Sequence, residues 1–164
     1  SSGALIDPLL SLIAYRLVRA AREFPEINAT LVEHAIFYYD KVNVGFSVKT
    51  ESGLAMVVVS DAQTLDEMGF IKALGRLQRN AFANRLTQEQ VSGMTISLSS
   101  LASAGVSRHV PVLPPNTSLI IAHSASASDG TSALGATYDH RILDGETVAR
   151  VLNSIQSPNS YRNQ

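Results

Sequence analysis

The residues best suited to do chemistry stand together near the C-terminus, in the run Tyr138-Asp139-His140-Arg141-Ile142-Leu143-Asp144-Gly145. An imidazole titrates near neutrality, so a histidine that ends a strand at the edge of a cleft can take a proton from a thiol or a hydroxyl. An aspartate four residues later can fix the turn or pair with an arginine, and the glycine after it permits close packing or a positive φ angle. Together these suit a rigid catalytic loop. The same residues admit a plainer reading, a polar loop in which Asp139, Arg141 and Asp144 exchange salt bridges, and spacing alone does not separate the two. The remaining histidines, His34, His109 and His123, are dispersed along the chain and read as surface or half-buried polar residues. They form no convincing ligand set, so no metal is expected.

The elements that must hold such a loop alternate between helical and strand periods, with no repeat or low-complexity block. Asp7-Pro8 is an N-cap and first-turn pair, followed by Leu9, Leu10, Ile13, Leu17, Ala20, Ala21 and Phe24 at helical spacing up to Pro25. β-rich residues run from Ile36 to Tyr39 and from Val42 to Val48. The turn Thr50-Glu51-Ser52-Gly53 then leads into Leu54 to Val59, which completes a meander and is expected to be buried on both faces. Thr64 and Glu67 have capping-box spacing, and Leu65, Met68, Ile71, Leu74, Leu77, Ala81 and Phe82 mark the stripe of a second helix ending near Asn84. Strands are expected over Met94 to Ser99, Ser118 to Ala122 and Leu134 to Tyr138, with Asp129-Gly130 as a hairpin turn between the last two. A final amphipathic helix beyond Gly145 presents Val148, Val151, Leu152 and Ile155. The order predicts an α+β fold, a mixed sheet with helices packed on one side.

Composition narrows the function classes. In 164 residues, 45% are hydrophobic and 16% charged, which fits one domain with a sizeable core. A net charge of −1 provides no positive field to gather phosphates, which argues against nucleic-acid and anionic-membrane partners. Apolar runs such as Leu54 to Val59 are far too short to span a bilayer. With no cysteine the chain has no disulfide, thiol nucleophile or thiolate metal site, which leaves its compartment open. The expected boundaries are a domain over residues 4–157 and a polar tail over 158–164, after a linker-like start at Ser1-Ser2-Gly3.

Several separated segments resemble, in order, the catalytic domain of the dihydrolipoyl acyltransferases of 2-oxo acid dehydrogenase complexes. Tyr138 to Gly145 resembles that family's active-site signature, whose His-x-x-x-Asp-Gly core is shared with chloramphenicol acetyltransferase. Arg22-Glu23-Phe24-Pro25-Glu26-Ile27-Asn28-Ala29 is similar to the stretch after its long helix. Val42-Asn43-Val44-Gly45-Phe46-Ser47-Val48 with Gly53-Leu54 is similar to its central hairpin. Leu86-Thr87 to Gly93, followed by Thr95 and the serine-rich strand, resembles the segment before its second active-site strand. The similarity runs from about Leu9 to Leu152.

The resemblance implies a chloramphenicol acetyltransferase-like fold and acyl transfer between a lipoyl or carrier thioester and coenzyme A or a related acceptor. It makes His140 the general base, Asp144 the residue that orders its loop, and a serine the oxyanion donor. Gapless counting from Leu86-Thr87 to Gly105-Val106 places that serine at Ser99. Ser97 is the runner-up, because residues two apart on a strand share a face. The simpler alternative is that these serines decorate an exposed face.

The resemblance further implies a homotrimer or higher oligomer, with the histidine of one subunit facing the serine of its neighbour, and a lipoyl or acyl-carrier domain and dehydrogenase-complex subunits as partners. Apolar residues in Val106 to Ile121 suit either an interface or ordinary core. The expected compartment is the cytoplasm, or the mitochondrial matrix in a eukaryote. Family catalytic domains usually carry a further helix and strand before the segment beginning at Asp7. Here Val57 stands where a proline is usual, Ala102 replaces a glycine, and His123 to Leu134 is short. The competing expectation is a non-catalytic scaffold domain that keeps the fold.

Overall fold

In the computed structural model, which describes residues 7–156, Asp7 starts the first helix as its spacing predicts. Its carboxylate accepts the Leu9 backbone N–H at 2.9 Å, and α1 runs over Pro8–Glu23. A two-stranded hairpin follows, β1 (Ala29–Val32) against β2 (Ala35–Tyr38). Sequence periodicity does not show β1, because four residues following a short turn are too few to display a period. The hairpin stands apart from the main sheet, so the expected continuous meander is wrong there.

The main sheet has five strands in the order β4-β3-β5-β6-β7: β3 (Val44–Thr50), β4 (Gly53–Val59), β5 (Ile96–Ser100), β6 (Leu119–His123) and β7 (Leu134–Tyr138). The two outer pairings are antiparallel and the two inner ones parallel. The parallel step from β3 to β5 is covered by α2 (Glu67–Phe82), and α3 (Gly145–Gln156) closes the described chain. Alternate residues of the strands, Val44, Phe46, Val57, Val59, Ile96, Leu98, Leu119 and Ile121, join one buried cluster with Leu17 of α1, Phe70 and Leu74 of α2, and Val151 and Ile155 of α3. All three helices therefore pack on one face, the α+β arrangement expected from the element order. No described helix is long and apolar enough to cross a membrane.

Three local expectations need correction. β4 is not buried throughout: Leu54 is 68% exposed, and only Val57, Val58 and Val59 are enclosed, because β4 is the edge strand and its first residues leave an exposed turn at Glu51-Ser52. The start of α2 is capped by Asp66, which accepts the Gly69 N–H at 2.7 Å, whereas the Thr64 hydroxyl bonds the Asp61 carbonyl in a preceding turn. On α2 the buried residues are Phe70, Leu74, Leu77 and Ala81, while Met68, Ile71 and Phe82 face solvent. The stripe is rotated relative to the one read from the apolar residues because Phe70 fills the core next to Tyr15. Residues 1–6 and 157–164, including the linker-like start and the polar tail, lie outside the described part.

A buried polar cluster sets the strands in register. The Asn28 amide donates to the carbonyl of Lys41 and accepts the Thr95 hydroxyl. Asn43 accepts the Asp61 N–H at 2.9 Å and donates to the Gly93 carbonyl at 2.8 Å. Satisfied polar groups of this kind specify one arrangement, since each partner left unpaired would carry a desolvation penalty. They fix the starts of β3 and β5, and so the serines that β5 carries.

Candidate active site

His140 sits in the turn between β7 and α3, and the loop around it is rigidly made. Asp139 donates its N–H to the Ser118 carbonyl at 3.0 Å, tying the loop to the start of β6. Its carboxylate accepts Arg141 Nη2 at 2.7 Å and Nε at 2.9 Å, and the Arg141 guanidinium holds it below the usual carboxylate range. Asp144 takes no part in that pair. It caps α3, accepting the Thr147 N–H at 2.8 Å, and this bond lowers the Asp144 carboxyl from its ordinary value. The plainer salt-bridge reading thus describes Asp139 and Arg141, and Asp144 has a separate task. Gly145 serves close packing rather than a positive φ: a Cβ there would stand 3.4 Å from the Tyr138 hydroxyl. The His140 ring is exposed and rests against Tyr138, with centroids 4.6 Å apart.

Since asparagine and aspartate cap helices about equally well, Asp144→Asn is expected to keep the parent melting temperature while Asp144→Ala lowers it. Identical thermal melts for all three proteins would show that the cap is idle.

The serines lie on the sheet face away from the helices. Ser97 is fully buried, and its Oγ finds no hydrogen-bond partner among the described residues. Ser99 is half-buried and lies 3.3 Å from Nε2 of His109. The register places Ser99 beside Ala122 and Ala122 beside Gly135. Tyr138 is three residues farther along β7, paired with Leu119 at the other end of the sheet. With strands about 4.8 Å apart and a rise of about 3.3 Å per residue, the Cα atoms of Ser99 and Tyr138 are roughly 14 Å apart, and His140 lies beyond. One chain does not bring Ser99 and His140 to the same atom.

Of the two inner histidines, His109 is half-buried as expected and His123 is not. His123 is not on the surface but 2% exposed, the last residue of an apolar strand whose inward alternation it continues. Its ring nitrogens lie 2.9 Å from Ser100 Oγ and 3.3 Å from Ser132 Oγ, which makes the burial tolerable. Burial pushes this imidazole below its ordinary value, with Asp7 opposing and His109 adding to the shift. A free histidine titrates near ~6.5, so below that pH the unfolded chain binds a proton that the folded one refuses until lower pH. Stability is therefore fully present above ~6.5 and falls as the pH drops from there towards the folded value. Melting curves between pH 7.5 and 5.5 are expected to show a steeper loss for the parent than for His123→Gln, and equal slopes would contradict the assignment.

His109 is the neighbour of Ser99 that sequence reasoning missed. It comes from a loop ten residues on in the chain, and no periodicity relates the two; only the run of apolar residues and prolines around it marks a segment that folds back. Among the described residues no group of three metal-binding side chains is gathered.

A family model described as 2-oxoacid dehydrogenases acyltransferase (catalytic domain) matches residues 8–158. The chain belongs to this family. Among curated relatives, the dihydrolipoyllysine-residue acetyltransferase component of the pyruvate dehydrogenase complex of Mycobacterium tuberculosis is 29% identical over 90% of this chain and 30% of its own length. The succinyltransferase component of the 2-oxoglutarate dehydrogenase complex of Bartonella vinsonii subsp. berkhoffii is 31% identical over 85% and 38%. This acyltransferase-family chain thus spans about a third of the length of these relatives. Among solved structures, dihydrolipoamide acetyltransferase of Azotobacter vinelandii superposes with a TM-score of 0.79 at 21% identity, covering 90% of this chain and 66% of that one. Its serine, histidine and asparagine have been probed for their part in the catalytic mechanism. Chloramphenicol acetyltransferase superposes at 0.58 with 15% identity, covering 90% and 75%, which identifies the fold the two share.

Proposed function

We propose that the chain catalyses acyl transfer between a lipoyl or carrier thioester and coenzyme A or a related acceptor, as a homotrimer with sites shared between subunits. Family membership carries the reading, together with an exposed His140 held on a loop anchored at both ends. In the probed Azotobacter enzyme the histidine and asparagine are four positions apart, as are His140 and Asp144 here. The neutral imidazole of His140 removes the proton from the acceptor thiol, and the thiolate attacks the acyl thioester carbonyl. The Ser99 hydroxyl donates to the developing oxyanion. As the tetrahedral intermediate collapses, the other thiolate leaves and takes the proton back from the imidazolium. Accessibility supports Ser99 over Ser97, since a fully enclosed hydroxyl cannot touch a substrate.

The separation of Ser99 and His140 across the sheet supports the shared site, because two copies are needed to place both groups on one carbonyl. The exposed loop residues Val110 (81%) and Val112 (87%) offer apolar surface for that contact. Dihydrolipoyl-lysine is expected to arrive on a lipoyl or acyl-carrier domain, with dehydrogenase-complex subunits as further partners. The test is consumption of acetyl- and succinyl-coenzyme A with dihydrolipoamide as acceptor. Turnover with either supports the proposal; none with either leaves the scaffold reading.

A further inference from the structure

The proposed oxyanion donor is not free in its own subunit. His109 Nε2 lies 3.3 Å from Ser99 Oγ, while the other ring nitrogen, Nδ1, is buried and finds no partner among the described residues. Those two facts together decide which way the bond runs. A buried N–H without an acceptor is rarer and more costly than a buried acceptor without a donor. The proton therefore belongs on Nε2, which donates to a lone pair of Ser99, and Nδ1 keeps its bare lone pair inside. The reverse tautomer would bury an unpaired Nδ1–H and draw the serine hydrogen onto the imidazole.

The loop that holds His109 is pinned on both sides. The Pro111 carbonyl accepts the Thr137 hydroxyl at 2.8 Å, and the Val106 carbonyl accepts the Ala125 N–H at 2.8 Å. Beneath it lies a cavity of about 480 Å³ lined by Ala122 and Gly135, the residues in register beside Ser99. His109 itself lines this space.

Resting on the acyl-transfer reading above, we propose that His109 is a positioning residue. By donating to Ser99 it fixes the serine rotamer and leaves the one hydroxyl hydrogen directed at the oxyanion. A hydroxyl that already accepts a hydrogen bond is also the better donor, because bonds in a chain polarise one another.

The experiment measures steady-state acyl transfer by the assembled parent, His109→Phe, His109→Gln, Ser99→Ala and the His109→Phe/Ser99→Ala double variant. His109→Phe is expected to lower kcat about 5- to 10-fold, the kinetic equivalent of one neutral hydrogen bond, with KM within about 2-fold. His109→Gln, whose amide N–H can donate from nearly the same place, is expected to recover most of that loss. In the Ser99→Ala background the His109 substitution is expected to change nothing further, since it acts only through the serine. An undiminished kcat in His109→Phe, or an equal loss with and without Ser99, overturns the inference. Parent-like turnover by Ser99→Ala instead overturns the serine assignment beneath it, and a parent without turnover overturns both. Should His109→Phe fail to fold, the ring tautomer is read from imidazole nitrogen shifts of the parent at neutral pH. Protonated Nε2 supports the proposal, and protonated Nδ1 defeats it.

Discussion

His140→Ala is expected to leave the far-ultraviolet spectrum and the thermal melt close to those of the parent while acyl transfer falls at least ~100-fold, up to ~10⁴-fold. The fold is expected to survive because the imidazole is exposed, and what anchors its loop are Asp139, Arg141 and Asp144. The chemistry is expected to fail because a coenzyme A thiol is mostly protonated at neutral pH, and without a base the attacking thiolate is scarce. Raising the pH supplies thiolate directly, so the variant is expected to recover rate with pH more steeply than the parent. Equal turnover by variant and parent at pH 7 would remove His140 from the mechanism.

Ser99→Ala is expected to slow transfer by about 100-fold or somewhat more, or ~3 kcal/mol in the barrier, as for other single oxyanion donors, and to slow it more than Ser97→Ala. The larger experiment uses both inactive proteins. A site that takes its histidine from one subunit and its serine from the next is intact only where a Ser99→Ala subunit contributes the histidine and a His140→Ala subunit the serine. Random reassociation of equal amounts makes that one half times one half of all sites, so the reassociated mixture as a whole is expected to recover about a quarter of parent activity. Separately, each protein remains nearly inactive. No recovery after verified subunit exchange, or a sedimenting monomer that still turns over, would exclude the shared site.

Much of this was legible in the sequence for a physical reason: the loop from Tyr138 to Gly145 is local, and its caps and turns depend on neighbours within a few residues. Helix starts at Asp7-Pro8 and the apolar sides of α1 and α3 were legible for the same cause. Periodicity failed where two faces compete. On α2, Met68 and Ile71 fit one helical stripe and Phe70 another, and only the tertiary core chooses between them. Ser97 and Ser99 share a face by the period-two rule, so their difference in burial depends on what covers the strand. His123 was misjudged because a histidine ending an apolar strand reads as polar, while Ser100 and Ser132 supply the partners that let it go inside. His109 could not be paired with Ser99 at all without the loop that folds it back.

The distance between the two ends of the sheet has a practical meaning for anyone handling the protein. An enzyme whose reacting groups sit on separate copies has no fixed specific activity. If His140 and Ser99 act from separate copies as proposed, dilution into the range where trimers dissociate is expected to lower the rate per milligram, and a progress curve started from a concentrated stock to slow as subunits part. Substrate works in the opposite direction: a thioester gripped by two copies binds only the assembled form and so holds it together by mass action. On the shared-site proposal, saturation curves at low protein concentration are expected to be sigmoidal and to become hyperbolic as the protein is concentrated.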